Sequence, residues 1–376
     1  MINYISNLPR SLRTGGFSAL NAAGCSALER RHEIAYVGPI DPGTAPLAKA
    51  VSKALRVTGL GGDFVAFSKR RLADIAEAAT RGCRQDAALD FFHGFTPWIA
   101  TRPARPYVAG GDCTFHDYAT IFHDRARFRA EDLARIERAE AAWLGGARRV
   151  LFTSDWAAKR AIDRYGLDPG RVASVGVFGE LEPPERDAFA GGFAFAFVST
   201  DFAAKGGPTA LAAFRRLRER HREARLVIVG ASPGQAALGE GVSYAGFMRK
   251  EVPEELARFR QILGTCVAVV HPTRGDITPL VLVEAAMFGC PAIATRAFAI
   301  PELVEDGVTG RLLDPPATTE AVAAAMAWML EQPDAYAAMR AAAWRRSRAI
   351  HAKRRFEARL LAAVDEALSE PTMAAA

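Results

Sequence analysis

Short apolar runs alternate with helical segments along the whole chain, and this alternation limits the fold more than any other feature. Ile2 to Ile5 is β-prone and leads through Arg13-Thr14-Gly15-Gly16-Phe17 into an Ala- and Leu-rich helical stretch that ends near Arg30. Glu33 to Val37 reads as the next strand. Helices are expected near Ala45 to Arg56 and Lys69 to Arg81, and strands near Ala88 to Phe92, Pro106 to Ala109 and Arg149 to Thr153. A helix at Asp155 to Tyr165, a turn at 166–170 and a strand at Val172 to Val177 follow. Strands separated by helices can pair only in parallel, with the helices covering both faces of the sheet.

At 376 residues the chain exceeds what one core usually serves, so two domains are expected. Glu180 to Gly192 (ELEPPERDAFAGG) combines prolines, charges and glycines and reads as the linker. A second α/β unit starts beyond it. Its strands are expected at Phe193 to Ser199, Leu226 to Gly230, Val242 to Ala245, Cys266 to His271 and Pro291 to Thr295. Its helices are expected at Pro208 to Glu219, Glu254 to Leu263, Val281 to Phe288 and Thr319 to Leu330, with Ala- and Arg-rich helices from Ala335 to about Leu368 closing the chain. The division is 1–187, 188–351 and a last helix at about 352–376. Two doubly wound domains of this kind place their strand carboxyl ends around a shared cleft.

Composition removes several function classes. Lys and Arg number 48 against 42 Asp and Glu, a net charge of +6 that suits anionic ligands without calling for nucleic acid. The basic residues are mostly arginines spread along helical segments, among them Arg125, Arg127 and Arg129, and read as solvated faces. Cys25, Cys83, Cys113, Cys266 and Cys290 form no CxxC pair, so neither a zinc knuckle nor a disulfide framework is indicated, and a cytoplasmic location is expected. No apolar run reaches membrane-spanning length, and the first residues lack an export signal. A nicotinamide-dependent oxidoreductase should carry GxGxxG after a strand, and the chain has none.

The informative stretch is His271 to Leu313. A strand ends at His271, a loop carries Asp276 and Thr278, and Glu284 lies on the next helix, eight positions after Asp276. The amino end of that helix favours a phosphate, and the two carboxylates accept hydrogen bonds from sugar or ribose hydroxyls. Singly, Glu284, Glu302 and Lys205 read as exposed helix or surface residues; their order and spacing together carry the argument. His116 and His123 with Asp117 and Asp124 read as polar surface rather than a metal cluster.

Asp276, Glu284-Ala285-Ala286-Met287-Phe288-Gly289-Cys290-Pro291, Ile300-Pro301-Glu302-Leu303-Val304 and Asp306-Gly307-Val308-Thr309-Gly310 resemble the donor-binding domain of retaining glycosyltransferases of family 4. Phe197 to Gly206 resembles that family's strand and loop in which an Arg and a Lys neutralise the donor diphosphate: Lys205 matches the Lys, and Thr200 stands where the Arg usually is. The resemblance implies a GT-B fold, two Rossmann-like domains, and metal-independent transfer of a hexose-type sugar. The donor would be a UDP-, GDP- or ADP-linked sugar, and the acceptor a hydroxyl of a saccharide or lipid-linked acceptor, in cell-envelope or exopolysaccharide synthesis. It implies Asp112, His116, Lys205, Asp276 and Glu284 as catalytic candidates. Gly15, Gly16, Thr200, Lys205, Thr278, Pro279, Leu280 and Glu284 are the donor-binding candidates.

Beyond Thr200, four further positions depart from the family pattern. Asp276 replaces a Glu and reaches about one methylene less far. Thr278-Pro279 replaces an aromatic residue and a glycine, and Pro279 has no N–H to offer. Asp112 stands at the first-domain strand end where the family often has a His, with His116 four residues on. The alternative is therefore a catalytically impaired nucleotide-sugar-binding protein that acts as a scaffold or partner subunit. No Asp-x-Asp occurs, so no metal is expected. The Arg and Lys content of Arg354 to Leu368, with Arg10 and Arg13, is the expected place of a peripheral membrane contact.

Overall fold

Burial on both faces explains why these strands are mostly apolar rather than alternating. β1 (Ile2–Ile5) and β3 (Leu89–His93) are buried at every residue, as are β10 (Ala268–His271) and β11 (Ala292–Thr295). The computed structural model describes residues 1–12, 15–187, 189–234 and 238–371. Arg13 lies outside them.

The chain divides into two units. The first comprises Met1–Leu12, Phe17–Gly176 and Glu357–Ala376, and the second Arg13–Gly16 and Val177–Phe356. In the first, β2 (Ile34–Val37), β4 (Tyr107–Gly111), β5 (Arg149–Phe152) and β6 (Val172–Ser174) join β1 and β3 in a parallel sheet of order β2-β1-β3-β4-β5-β6. Helices α1 (Gly16–Glu29), α2 (Pro46–Val57), α3 (Lys69–Gly82), α4 (Phe115–Phe122), α5 (Ala130–Gly145) and α6 (Asp155–Tyr165) connect the strands. Trp98, Phe115 and Phe152 are among the largest side chains filling its core.

The second sheet is parallel too, in the order β12-β11-β10-β7-β8-β9, with β7 (Ala194–Ser199), β8 (Arg225–Gly230), β9 (Val242–Gly246) and β12 (Gly310–Leu313). Its helices are α7 (Gly207–Arg218), α8 (Pro253–Thr265), α9 (Leu280–Met287), α10 (Ile300–Leu303), α11 (Thr319–Glu331) and α12 (Pro333–Ile350). A last helix, α13 (Lys353–Ser369), begins in the second unit and runs into the first.

The sequence-based boundaries shift for identifiable reasons. The division falls after Gly176 instead of after 187, because the Pro-rich stretch packs as part of the second unit. Leu181 joins that unit's core, the Arg348 guanidinium donates to the Pro184 carbonyl at 2.8 Å, and Arg340 holds both oxygens of Asp187 at 2.7 and 2.8 Å. The other crossing falls after Phe356 instead of 351; Phe356 packs on Phe178 with ring centroids 5.0 Å apart. The run expected as a helical face from Arg125 to Arg129 is a single 3-10 turn, Arg125–Arg127, with Arg129 capping α5.

The charged side chains of α13 are spent on the first unit. Glu357 pairs with Arg30, Asp365 with Arg31 and His32, and Glu366 with Arg149. The Arg148 guanidinium caps the end of the helix by donating to the carbonyls of Ala367 and Glu370 at 2.6 and 2.8 Å. Arg10 pairs with Glu29. Among the described residues no helix is long and apolar enough to cross a membrane.

Candidate functional site

Two loops of the second unit meet backbone to backbone. Gly206, at φ +83, precedes α7, and a Cβ built there would lie 2.1 Å from the Pro272 carbonyl oxygen, so no other residue fits without moving the loop. The contact brings Lys205 over the loop that leaves β10. Its ammonium donates to the Gly275 carbonyl at 2.6 Å and pairs with Asp276 Oδ2 at 3.0 Å. His271, at the buried end of β10, reaches the same oxygen with Nε2 at 3.1 Å, and its Nδ1 is buried with no partner among the described residues. Burial would raise the Asp276 carboxyl; the hydrogen bond and charge of His271 and the Lys205 ammonium outweigh it and hold the pKa below its ordinary value. Asp276 is therefore ionised at neutral pH.

The same loop ends at Pro279, which caps α9, and Leu280 opens the helix. Pro279 has no N–H, and the Leu282 amide donates to its carbonyl at 3.0 Å, which leaves the Leu280 and Val281 amides without a partner within the helix at the positive end of its dipole. A lysine and a helix amino end on adjoining loops are suited to hold phosphate oxygens. Thr278 is half-buried, and Thr200 is exposed just past β7, where it can offer a hydroxyl but no charge.

Glu284 lies one turn into α9 and is buried. It is the acceptor for Lys250, which follows β9, and Lys250 also reaches Glu180 Oε2 at 3.1 Å. Burial lifts the Glu284 carboxyl above its ordinary pKa, with the Lys250 charge pulling the other way. Burial alone would lower the Lys250 pKa; Glu284 and Glu180 outweigh it and raise it. Lys250 and Glu180 are the functional candidates that the sequence reading missed. Glu180 fell in the expected linker, and Lys250 adjoins a segment, Gly246 to Arg249, whose side chains carry little signal.

Asp112 and His116 belong to the first unit. Asp112 is half-buried, directly after β4, and adds to the burial that raises the neighbouring Cys113 thiol. His116 Nδ1 lies 3.0 Å from Glu137 Oε1, and Glu137 also binds Arg125 and Arg164 at 2.7 and 3.1 Å. Glu140, fully buried on α5, accepts from Thr96 Oγ1, Tyr165 OH and the Phe115 amide at 2.6, 2.9 and 2.5 Å. It thereby fixes the start of α4, and with it the turn that carries Asp112. Burial pushes its pKa up to about 7. Gly15 takes φ +93 with open space around it, so it is conformation that calls for glycine there, and Gly16 opens α1. His123 is surrounded by the rings of Phe64, Tyr118 and Phe128. No group of three or more His, Cys, Asp or Glu among the described residues is placed to hold a metal ion.

Residues 182–346 match the family described as glycosyl transferases group 1. The second unit is a domain of that family. The D-inositol 3-phosphate glycosyltransferase of Thermobifida fusca (strain YX) is 27% identical over 204 residues, covering 47% of this chain and 46% of its own. The chain thus matches about half the length of that relative. Among solved structures, Anabaena HepE in complex with UDP and glucose superposes with a TM-score of 0.61 at 17% identity, over 97% of this chain and 99% of that one. WaaG, a glycosyltransferase involved in lipopolysaccharide biosynthesis, superposes with a TM-score of 0.67 at 15% identity, over 96% and 98%. Both units of the chain therefore share the two-domain GT-B fold. In the group 1 domain the matched stretch contains Lys205, Lys250, Asp276 and Glu284.

Proposed function

We propose that the protein is a retaining glycosyltransferase that moves a hexose-type sugar from a nucleoside-diphosphate donor to a hydroxyl of a saccharide or lipid-linked acceptor, without a metal. The observation that carries the reading is the Lys205 ammonium, held by Asp276 and the Gly275 carbonyl on the loop that runs into the amino end of α9. As the bond from the anomeric carbon to the diphosphate breaks, negative charge grows on the leaving oxygen, and Lys205 and the first amides of α9 oppose it. The acceptor oxygen bonds to the anomeric carbon on the same face, and its proton passes to the leaving diphosphate. Glu284, buried and ion-paired, holds the ribose hydroxyls. Thr278 and Asp276 face the sugar, and Thr200 and the Gly15-Gly16 amides supplement the phosphate contacts. In the first unit Asp112 and His116 serve the acceptor side. HepE is a neighbour solved with UDP and UDP-glucose, which supports a uridine donor as the first to try. WaaG supports a role in cell-envelope polysaccharide synthesis, at a cytoplasmic location with peripheral contact to the inner face of the membrane.

The test is thermal stabilisation of the full chain by UDP, GDP, ADP and their glucose conjugates, in EDTA and then in Mg²⁺, followed by a transfer assay. A ligand at about 100 times its Kd stabilises by nearly 3 kcal/mol. The reading requires stabilisation by one nucleotide in EDTA, lost in Lys205→Ala and Glu284→Ala, and release of nucleoside diphosphate when acceptor is added. Stabilisation with no transfer to any acceptor would favour the scaffold alternative, and stabilisation by none of the nucleotides would refute both.

A further inference from the structure

α2 carries its apolar residues on the side that a core-packed helix would bury, yet that side faces water. Leu47, Ala50, Val51, Ala54 and Val57 fall on one face at helical spacing, with Lys49, Ser52, Lys53 and Arg56 outside it. The flank turned inward carries Ser52, Leu55 and Arg56, while Lys49 and Lys53 are exposed beside the apolar face. Ser52 is the only buried residue of the helix, its hydroxyl donating to the Asp63 carbonyl at 2.7 Å. The Arg56 guanidinium lies over the Phe128 ring, 5.0 Å from its centroid. Leu47, Val51 and Val57 are 77%, 51% and 71% exposed, and Leu60 just beyond is 72% exposed. Scattered apolar residues on a surface need no explanation, but a helix that turns a whole apolar face outward does.

Charge identifies what covers that face. Residues 42–62 contain Lys49, Lys53 and Arg56 and no acidic residue, and neither Lys49 nor Lys53 has an ion-pair partner among the described residues. Two copies packed through this face would bring like-charged lysines together with no carboxylate in the segment to offset them. An anionic surface with an apolar interior offsets them and takes the apolar face at once. The remaining exposed large apolar residues of the first unit, Tyr118 and Phe122 on α4, connect to the same region, since Tyr118 packs on Phe64 and Phe64 on Phe128.

We propose that α2 is an interfacial helix that lies in the headgroup layer of an anionic bilayer, with Leu47, Val51 and Val57 inserted and Lys49 and Lys53 on lipid phosphates. This deepens the membrane contact in the proposed function by assigning it to α2 instead of α13. It does not depend on donor chemistry.

The experiment is flotation of the full-length protein with phosphatidylcholine vesicles, with and without about 30% phosphatidylglycerol, at low and high salt, with no nucleotide present. The protein should float with the anionic vesicles only, and high salt should weaken binding. Leu47→Asp with Val51→Asp should weaken it roughly ten-fold or more. Lys49→Gln and Lys53→Gln should each weaken it about five-fold, and Arg354→Gln on α13 should leave it unchanged. The substituted side chains are exposed, so melting temperatures should stay at the wild-type value and separate lost docking from lost folding. Absence of flotation, or flotation unaffected by the α2 substitutions, overturns the proposal. A wild-type dimer in sedimentation velocity that the Leu47→Asp, Val51→Asp variant dissolves also overturns it, by giving the face to a second copy. Flotation without nucleotide stabilisation would retain this inference and remove the transferase reading; the converse result would do the opposite.

Discussion

Lys250→Met isolates the charge balance around Glu284. Lys250 is the cation paired with this buried carboxylate, and Met keeps most of its volume. Breaking a buried pair from one side leaves an uncompensated ion, at a cost of about 3 to 5 kcal/mol. The carboxyl can instead take up a proton. Starting from the ordinary value of 4.5, that costs about 3 kcal/mol at pH 7 and about 1.4 kcal/mol less for each pH unit of acidification. Protonation is the cheaper route, so it sets the ceiling. The loss in Lys250→Met should be up to about 3 kcal/mol at pH 7 and should shrink to about 1 kcal/mol near pH 5.5.

The direction follows from the folded-state pKa of each partner. Glu284 is raised, so the folded state retains a proton that the unfolded chain has released, and stability falls as pH rises from 4.5 to the folded value. Removing Lys250 lifts that value further and widens the window. Lys250 is itself raised above 10.5, so its contribution is complete at neutral pH and is lost only as pH rises through its folded pKa. Calorimetry of wild type, Lys250→Met and Lys250→Arg at pH 5.5, 7 and 8 reads this directly. Nucleotide affinity of Lys250→Met should also rise from pH 6 to 8.5 as Glu284 regains its charge, and Lys250→Arg should restore both properties at pH 7. A Lys250→Met deficit that does not change with pH, or none at pH 7, would refute the argument.

Gly206→Ala should destabilise the second unit by more than about 2 kcal/mol and abolish nucleotide stabilisation, because the added carbon meets the Pro272 carbonyl at a positive φ; a wild-type melting temperature would contradict this. Glu140, with its pKa pushed up to about 7, makes the first unit lose stability as pH rises from 4.5 towards 7, by about 3 kcal/mol over the window. Glu140→Gln should remove that slope in denaturation followed by tryptophan fluorescence. Arg148→Ala leaves the Ala367 and Glu370 carbonyls without their donor, and should lower hydrogen-exchange protection across 357–369 with a loss of about 1 to 2 kcal/mol.

Local signals made most of the fold legible. The runs at 2–5, 194–199 and 268–271 are strands between helices that cover both faces of the sheet, and a mostly apolar run is the mark of that environment. Ser154, whose hydroxyl accepts from the Ala157 amide at 3.2 Å, and Gly166, at φ +65, bound α6 at the residues expected. α4 and α5 were harder to read. Glu140 and Glu137 place charge on a face of α5 that is turned inward, where it serves Thr96, Tyr165 and His116, so the apolar periodicity is broken by function in the core. The linker was misplaced for a related reason: Asp187 and Pro184 look like loop residues until Arg340 and Arg348, over 150 positions away, take hold of them.

The same limit separates the two carboxylates of the site. Asp276 and Glu284 share one spacing motif, yet they sit in opposite regimes. Asp276 is held ionised by a histidine and a lysine that lie five positions away and 71 positions away. Glu284 is pushed towards its neutral form by burial, and Lys250 restrains it. A motif states which carboxylates are present; their charge depends on cations supplied by other loops. Lys205 stands on the loop after β7 and Lys250 after β9, so each carboxylate of the β10–α9 segment is matched to a cation from a different strand end. Donor affinity should then depend on pH through Glu284 and on ionic strength through Lys205, and the two dependences should be separable by Lys250→Met and Lys205→Ala. If both variants change the same dependence, the two carboxylates act as one cluster and the division argued here fails.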